Sequence, residues 1–283
     1  MFKRHVEPQV LSSLRDSQLF LVKLKPDVLS GQVFSAIRGN YVDFYYKGGC
    51  LFSFKKAFTT HRKYASVIKS QGDYISEYDL QNKIKLIENF TEGYEQIKQN
   101  CSLYSGLEAK GVSSVYHNYP FTNQNQDIVV LDIEVSFKAI DEERSQDRID
   151  LLLLNKKTKV LKFYEAKHFS NNELWSEVGT QPKVITQIQR YETQIEQEKQ
   201  NILKQYENYV NIVNDLYGCN LPCPTDIEKN VVLLAFGFDR DQLKGRIKKL
   251  LLDDCSLDGI FYYFVGNINA VNITNMWNEV KCG

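Results

Sequence analysis

Short apolar and aromatic runs fill the first 75 residues: 19–24 (LFLVKL), 33–37 (VFSAI), 41–46 (YVDFYY) and 50–54 (CLFSF). Gly39-Asn40 and Gly48-Gly49 between them supply turn chemistry that tolerates positive φ. Each run therefore predicts a strand, and residues 40–55 predict a hairpin. From 76 to 100 the spacing lengthens. Leu80, Ile84, Ile87, Phe90, Tyr94 and Ile97 recur at three- to four-residue steps, which predicts a helix. A second short helix is predicted over 105–116, ended by Asn118-Tyr119-Pro120.

The rhythm then changes. Residues 127–137 (DIVVLDIEVSF) alternate as a strand, with Ile133, Val135 and Phe137 on one face and Asp132, Glu134 and Ser136 on the other. A charged connector, 138–147, leads to 149–154 (IDLLLL), apolar on both faces as a central strand is. After the turn 155–158 (NKKT) comes a third strand, 160–166 (VLKFYEA), in which Leu161, Phe163 and Glu165 share a face. A long amphipathic helix is expected over 182–216, with Thr180 and Pro182 at its start and Gly218, Pro222 and Pro224 at its end. At about 1.5 Å per residue it would run roughly 50 Å. A buried strand (230–238), an amphipathic helix (241–252) and an apolar strand (259–265) complete an αβββαβαβ order. This predicts an α/β (α+β) fold with a mixed sheet, over residues 76–283, preceded by a β-rich region, residues 1–75.

Composition narrows the picture. The 35 lysines and arginines balance 35 aspartates and glutamates, so contact with a polyanion must come from a local basic face. Lys156, Lys157, Lys159, Lys162 and Lys183 are candidates for one, though a charge run is usually a solvated face. The polar N-terminus and the absence of an 18-residue apolar stretch predict a soluble, cytoplasmic protein with no membrane partner. The six cysteines are scattered and expected to be free thiols. Cys219 and Cys223 form a CxxxC without a second pair at zinc-ligand spacing.

The charged residues on the predicted strands carry the chemistry. Asp150 opens a run of four leucines, where an unpaired carboxylate is costly. Glu165 sits inside the next apolar strand, and Lys167 projects to the same face. Pairing these strands about the 155–158 turn brings Asp150 and Glu165 together. Two carboxylates at that range repel unless a cation lies between them, and Mg²⁺ or Mn²⁺ suits oxygen ligands. Such a centre activates water against a phosphate, with Lys167 orienting the water or offsetting transition-state charge.

Asp150 followed by Glu165-Ala166-Lys167 on successive strands resembles the PD-(D/E)xK nuclease superfamily. Gln187 and Tyr191 in the next helix resemble the QxxxY element of its RecB-like and λ-exonuclease-like branch. The resemblance covers roughly residues 105–240 and departs in having Ile149 where the proline stands. It implies a restriction-endonuclease-like αβββαβ core and metal-dependent hydrolysis of phosphodiester bonds, with DNA as the expected partner in defence, mobile-element or repair settings. It also implies a helix glutamate among the metal ligands. Glu108 is the preferred match, with Glu88 second. Glu134 is a separate candidate, since a one-residue shift would set it opposite Asp150.

Plainer readings stand beside these. The alternative reading of the Asp150, Glu165 and Lys167 cluster is a strand-edge ion pair, that of Tyr191 is core, and that of Glu108 is a solvated helix carboxylate. His168 and Trp175 are weaker candidates for phosphate and base contacts. Asp43, Ser53 and Lys55 echo the nuclease hairpin with serine in place of an acid, and read as structural. The rival functions are a catalytically inactive nuclease-fold nucleic-acid-binding or scaffold protein, and a homodimer formed through the 182–216 helix.

Overall fold

The computed structural model describes residues 2–68, 84–137, 147–176, 180–253 and 256–283. The chain is a mixed α/β protein forming two compact units: His5–Gly106, and Met1–Arg4 together with Leu107–Gly283. The boundary expected at 75/76 lies outside the described residues.

In the first unit, β1 (Phe34–Ile37), β2 (Val42–Tyr46), β3 (Gly49–Phe54) and β4 (Phe58–Thr59) form an antiparallel sheet in that order. The predicted hairpin is β2–β3, and it pairs Asp43 with Ser53. The Ser53 hydroxyl donates to Asp43, and Arg38 lies 3.5 Å from the same carboxylate, so this echo of the nuclease hairpin is a closed polar cluster.

Two predicted elements change type. Residues 19–24, expected as a strand, are helical: Phe20–Leu24 is a π-helical segment continuous with the helix Lys25–Leu29. Leu19, Phe20, Leu24 and Val28 are buried while Leu21 and Val22 are exposed, a one-sided stripe that a six-residue apolar window cannot distinguish from a strand. The helix expected over 76–100 begins only at Tyr94 and runs to Leu103, because Ile84–Leu86 is a strand, β6, paired with β5 (Ser66–Ile68). Residues 76–83 of that expectation lie outside the described residues.

The second unit is built on a mixed sheet in the order β13-β12-β11-β9-β8-β7: Lys281–Cys282, Phe261–Val265, Val232–Phe236, Val160–His168, Asp147–Asn155 and Ile128–Phe137. β7, β8 and β9 form an antiparallel meander, whereas β9, β11 and β12 run parallel. A short β10 (Asp226–Ile227) also pairs with β9. The return from β9 to parallel β11 requires a long crossover, and the helix Lys183–Tyr217 supplies it. Its 35 residues span roughly 50 Å. Gly218 in the left-handed conformation (φ 68°) terminates it, where a side chain would be strained.

The apolar stripe of that helix is buried within the chain from Val184 to Tyr217, with Ile195 and Ile202 at 2% and 0% exposure. A homodimer formed through the 182–216 helix would draw on these positions. They are already covered, so a dimer through this stripe is not available.

Glu134 adopts φ 50°, and the pairing of β7 with β8 shifts between Val130 and Asp132. This breaks the expected alternation. Phe137 and Asp132 both reach one side, where Phe2 stacks on Phe137 at 5.2 Å, Phe2 meets Tyr206 at 5.5 Å, and Tyr206 donates to Asp132 at 3.0 Å. Arg4 completes this cluster with a 2.9 Å ion pair to the fully buried Asp132.

No helix among the described residues is long and apolar enough to cross a membrane. Of the cysteines, Cys50, Cys101, Cys219, Cys223 and Cys282 are free thiols, and Cys255 lies outside the described residues.

Candidate metal centre

The β8–β9 register is set by the turn after Asn155, with Asn155↔Val160 and Leu151↔Tyr164 at the two ends of the paired segment. One step further puts Asp150 across from Glu165. On the other side, Ile133↔Leu151 and Val135↔Ile149 bracket Glu134 opposite Asp150. Antiparallel partners share a face, so Glu134, Asp150, Glu165 and Lys167 gather at one end of the meander. β9 faces antiparallel β8 on one edge and parallel β11 on the other, with Leu233↔Glu165 and Ala235↔Lys167. The carboxyl ends of parallel strands are where α/β sheets open a crevice.

The electrostatics are crowded. Glu165 and Lys167 are 1% and 5% exposed, and their charged groups pair at 2.7 Å. Lys167 Nζ also meets Glu173 Oε2 at 2.8 Å. Asp150 Oδ2 accepts from the Ala166 N–H at 2.8 Å. Although part of Asp150 reaches solvent, protein packs densely around its carboxyl. That burial pushes its pKa up to about 7 against the pull of Lys167 and the Ala166 N–H, with Glu134 and Glu108 adding to the rise. Burial, then repulsion from Asp150, raises Glu165 well above the ordinary carboxylate range. Burial alone would lower Lys167, but the Glu165 carboxylate outweighs it and raises its pKa. One ammonium is thus shared among more carboxylates than it can neutralise.

Among the described residues Glu165 Oε2 is buried with no hydrogen-bond partner. An orphaned, desolvated carboxylate oxygen beside a second carboxylate is the donor chemistry a hard divalent cation satisfies. Among the described residues, no group of three or more His, Cys, Asp or Glu side chains is set to enclose an ion. The oxygens that would close such a cage are committed elsewhere. Glu108 Oε1 accepts from the His168 N–H at 3.0 Å and from Asn171 Nδ2 at 2.6 Å, so it caps the end of β9. Glu134 pairs with Arg148 at 2.7 Å. Two carboxylates still suit Mg²⁺, which is commonly held by one or two of them with waters and substrate phosphates completing the shell.

Gln187 and Tyr191 are brought to the site's margin and to each other. Gln187 Nε2 donates to the Tyr191 hydroxyl, which donates to the Arg148 carbonyl, both at 2.6 Å. Burial and the nearby Glu165 charge raise the Tyr191 pKa. As placed, this pair ties the long helix to β8 two residues before Asp150. His168 packs against Phe236 and shares a 2.8 Å contact with Ser170. The Trp175 indole donates to the Phe169 carbonyl at 2.9 Å and lies under the Arg246 guanidinium at 4.1 Å. The helix bearing Glu108, Leu107–Asn118, approaches β11 closely: a methyl group on Gly111 would stand 2.3 Å from the Phe236 ring.

Three of the five lysines proposed for a basic patch are placed elsewhere. Lys156 binds the Asn123 and Gln124 carbonyls and Lys157 pairs with Asp127, at the turn that closes the far end of the β8–β9 hairpin. Lys162 lies on the opposite sheet face, under Trp277. Sequence reasoning missed Glu173 and Arg148. Glu173 lies in a short turn capped by Asn171, outside any strand or helix periodicity, and only the Asn171-Asn172 pair signals that the chain bends there.

Compared with models of protein families, with curated proteins and with solved structures, the chain matches none.

Proposed function

We propose that the chain is a metal-dependent nuclease that hydrolyses phosphodiester bonds of DNA, with Mg²⁺ or Mn²⁺ held by Asp150 and Glu165. The observation that carries this reading is the meeting of two crowded carboxylates across β8 and β9, one oxygen unpartnered, beside the lysine two residues on. The order helix, three-strand meander, helix, parallel strand agrees with the restriction-endonuclease-like core that the D…ExK and QxxxY resemblance implies. The cation, when bound, polarises a phosphate oxygen and lowers the pKa of a bound water.

The chain's own residues do the rest. Asp150, partly open to solvent, gives up a proton near neutrality and presents a carboxylate. Glu165 is aimed from the sheet interior by its strand. Lys167 stays protonated and bridges Glu165 to Glu173, where its charge offsets charge gained by the phosphoryl group. Glu108 and Tyr191 act as positioning residues, fixing the ends of β9 and β8.

Incubation of the protein with linear, circular and single-stranded DNA in Mg²⁺ or Mn²⁺ tests the reading. Cleavage abolished by Asp150→Ala and Lys167→Ala is expected. No cleavage in any combination, or cleavage indifferent to both substitutions, overturns it. The second reading, a catalytically silent nucleic-acid-binding or scaffold protein, is favoured by the ion pairs that already engage Lys167. Calorimetric titration with Mn²⁺ separates the two, since a silent scaffold takes up no metal at Asp150 and Glu165.

A further inference from the structure

Strands β9 and β11 run parallel and end together at His168 and Phe236. Just beyond Phe236 the chain enters a helix, Arg240–Gln242 followed by the π-helical segment Leu243–Leu252. Asp239 caps its start through a capping box. Four basic residues, Lys244, Arg246, Lys248 and Lys249, stand exposed along it, and its acidic residues, Asp239, Asp241 and Asp253, are confined to its ends.

The winding of this helix matters. With bonds running i→i+5, residues four and five apart lie over one another, so Lys244, Lys248 and Lys249 share a face. In an α-helix Lys249 would be turned roughly 140° from Lys244. Ile247 and Leu251 point inward and are 1% exposed. That apolar edge is spent on the protein's own core, and the apolar surface still exposed is confined to Leu243 and Leu252, each 37% exposed, at the two ends of the segment, less than the continuous apolar face a lipid surface takes.

The helix is also physically joined to the carboxylate centre. Lys167 pairs with Glu173, the next turn delivers Trp175, and the Arg246 guanidinium lies over the Trp175 ring. Phe169, at the exit of β9, packs edge-on against the same ring at 5.1 Å. Arg246 thereby anchors this basic helix to a site that is itself rich in carboxylates and would repel a polyanion without help.

From this placement we infer that the Lys244, Lys248 and Lys249 face is a docking surface for the phosphate backbone of DNA, and that Arg246 on Trp175 fixes it relative to the site. The inference rests on the nuclease reading for its choice of ligand, and it supplies the local positive charge that a chain of balanced composition needs. Arg246 is a positioning residue here, and the three lysines make the phosphate contacts.

The test uses the full chain and a roughly 20-bp fluorescein-labelled duplex in EDTA, with anisotropy read between about 50 and 200 mM salt. Replacing Lys244, Lys248 and Lys249 together by glutamine is expected to weaken binding at least tenfold, and to flatten the slope of log K against log salt by about 2.7, three phosphates' worth. The corresponding triple arginine variant should bind as the parent does, which a merely misfolded variant would not. Lys156→Gln with Lys157→Gln, at the far turn, should leave affinity unchanged. Parent-like binding by the triple glutamine variant overturns the inference, as does equal loss in the far-turn control. Absence of DNA binding by the parent overturns it too, whether or not anionic phosphatidylserine vesicles capture the protein. The two readings fail separately. Cleavage that persists with unaltered binding in the triple variant removes the surface alone. Lysine-dependent binding without any cleavage in Mg²⁺ or Mn²⁺ removes the enzyme alone.

Discussion

The Tyr191 hydroxyl donates to the carbonyl oxygen of Arg148 at 2.6 Å, two residues before Asp150 on the same strand. A side chain on the crossover helix thereby braces the end of β8 that carries Asp150, whose register against β9 the turn after Asn155 sets. Tyr191→Phe removes this bond and the one from Gln187. A cost of about 1 kcal/mol is expected in urea unfolding, the usual net worth of such a bond. A larger effect is expected on chemistry: kcat should fall by about tenfold or more with KM little changed, because a small displacement of reacting groups is expensive. Steady-state kinetics on a DNA substrate checks this, and equal losses in kcat and KM would refute a positioning role.

Asp150 gives a pH signature. Its carboxyl ordinarily ionises near 3.8 and is raised to about 7 in the fold. Below about pH 4 it is neutral in both states. Between about 4 and 7 the unfolded chain releases a proton that the folded chain retains, so stability falls as pH rises, with the loss complete above about 7. Asp150→Asn should reduce that slope and stabilise the metal-free protein at pH 8 by about 2–4 kcal/mol, read from denaturation in EDTA. The raised Glu165 works in the same direction. Cation uptake requires the ionised form, so Mn²⁺ binding should strengthen with pH through about 7 and release protons, measurable by calorimetry in buffers of different ionisation heat.

Much of this was legible in the sequence, and the reasons are local. The β8–β9 hairpin is closed by a short polar turn between two apolar runs, so the period of two fixes which residues meet, and Asp150 falls opposite Glu165. The crossover helix was equally plain, since its stripe repeats over many turns and Gly218 ends it. Failures occurred where long-range contacts or unusual backbone decide. Residues 20–24 form a π-helical segment whose burial pattern needs the rest of the core to declare itself. The bend at Glu134, with φ 50°, is invisible to an alternation rule, so Phe137 was assigned to the wrong side of Asp132. The helix Ile273–Asn278 was missed although Asn272 caps it, because six residues are too few to show periodicity.

Gly111 tests the fit of the Glu108 helix. Gly111→Ala places a methyl group 2.3 Å from the Phe236 ring, within a packed interface. A destabilisation of about 1–3 kcal/mol is expected from overpacking, measured by thermal or denaturant unfolding. The helix must also lift from β11, so the Glu108 hold on His168 and Asn171 should loosen and cleavage should slow.

Arg4 and Asp132 form a buried pair with exposures of 5% and 0% for their side chains. Arg4→Ala leaves a desolvated aspartate with Tyr206 as a remaining donor, and a loss of about 3–5 kcal/mol is expected. Arg4→Met combined with Asp132→Leu should recover most of it, since two apolar groups of similar size need no partner. Urea denaturation of the single and double variants decides, and a single variant as stable as the parent would show the pair to be dispensable.

That Arg4–Asp132 contact also orders events during synthesis. Phe2 and Arg4 leave the ribosome well ahead of the residues they rest on, Asp132, Gln205 and Tyr206. Arg4 must wait for its partner on the long helix until some two hundred further residues have been made. The larger unit therefore closes only once two segments far apart in the chain, Met1–Arg4 and Leu107–Gly283, are both made.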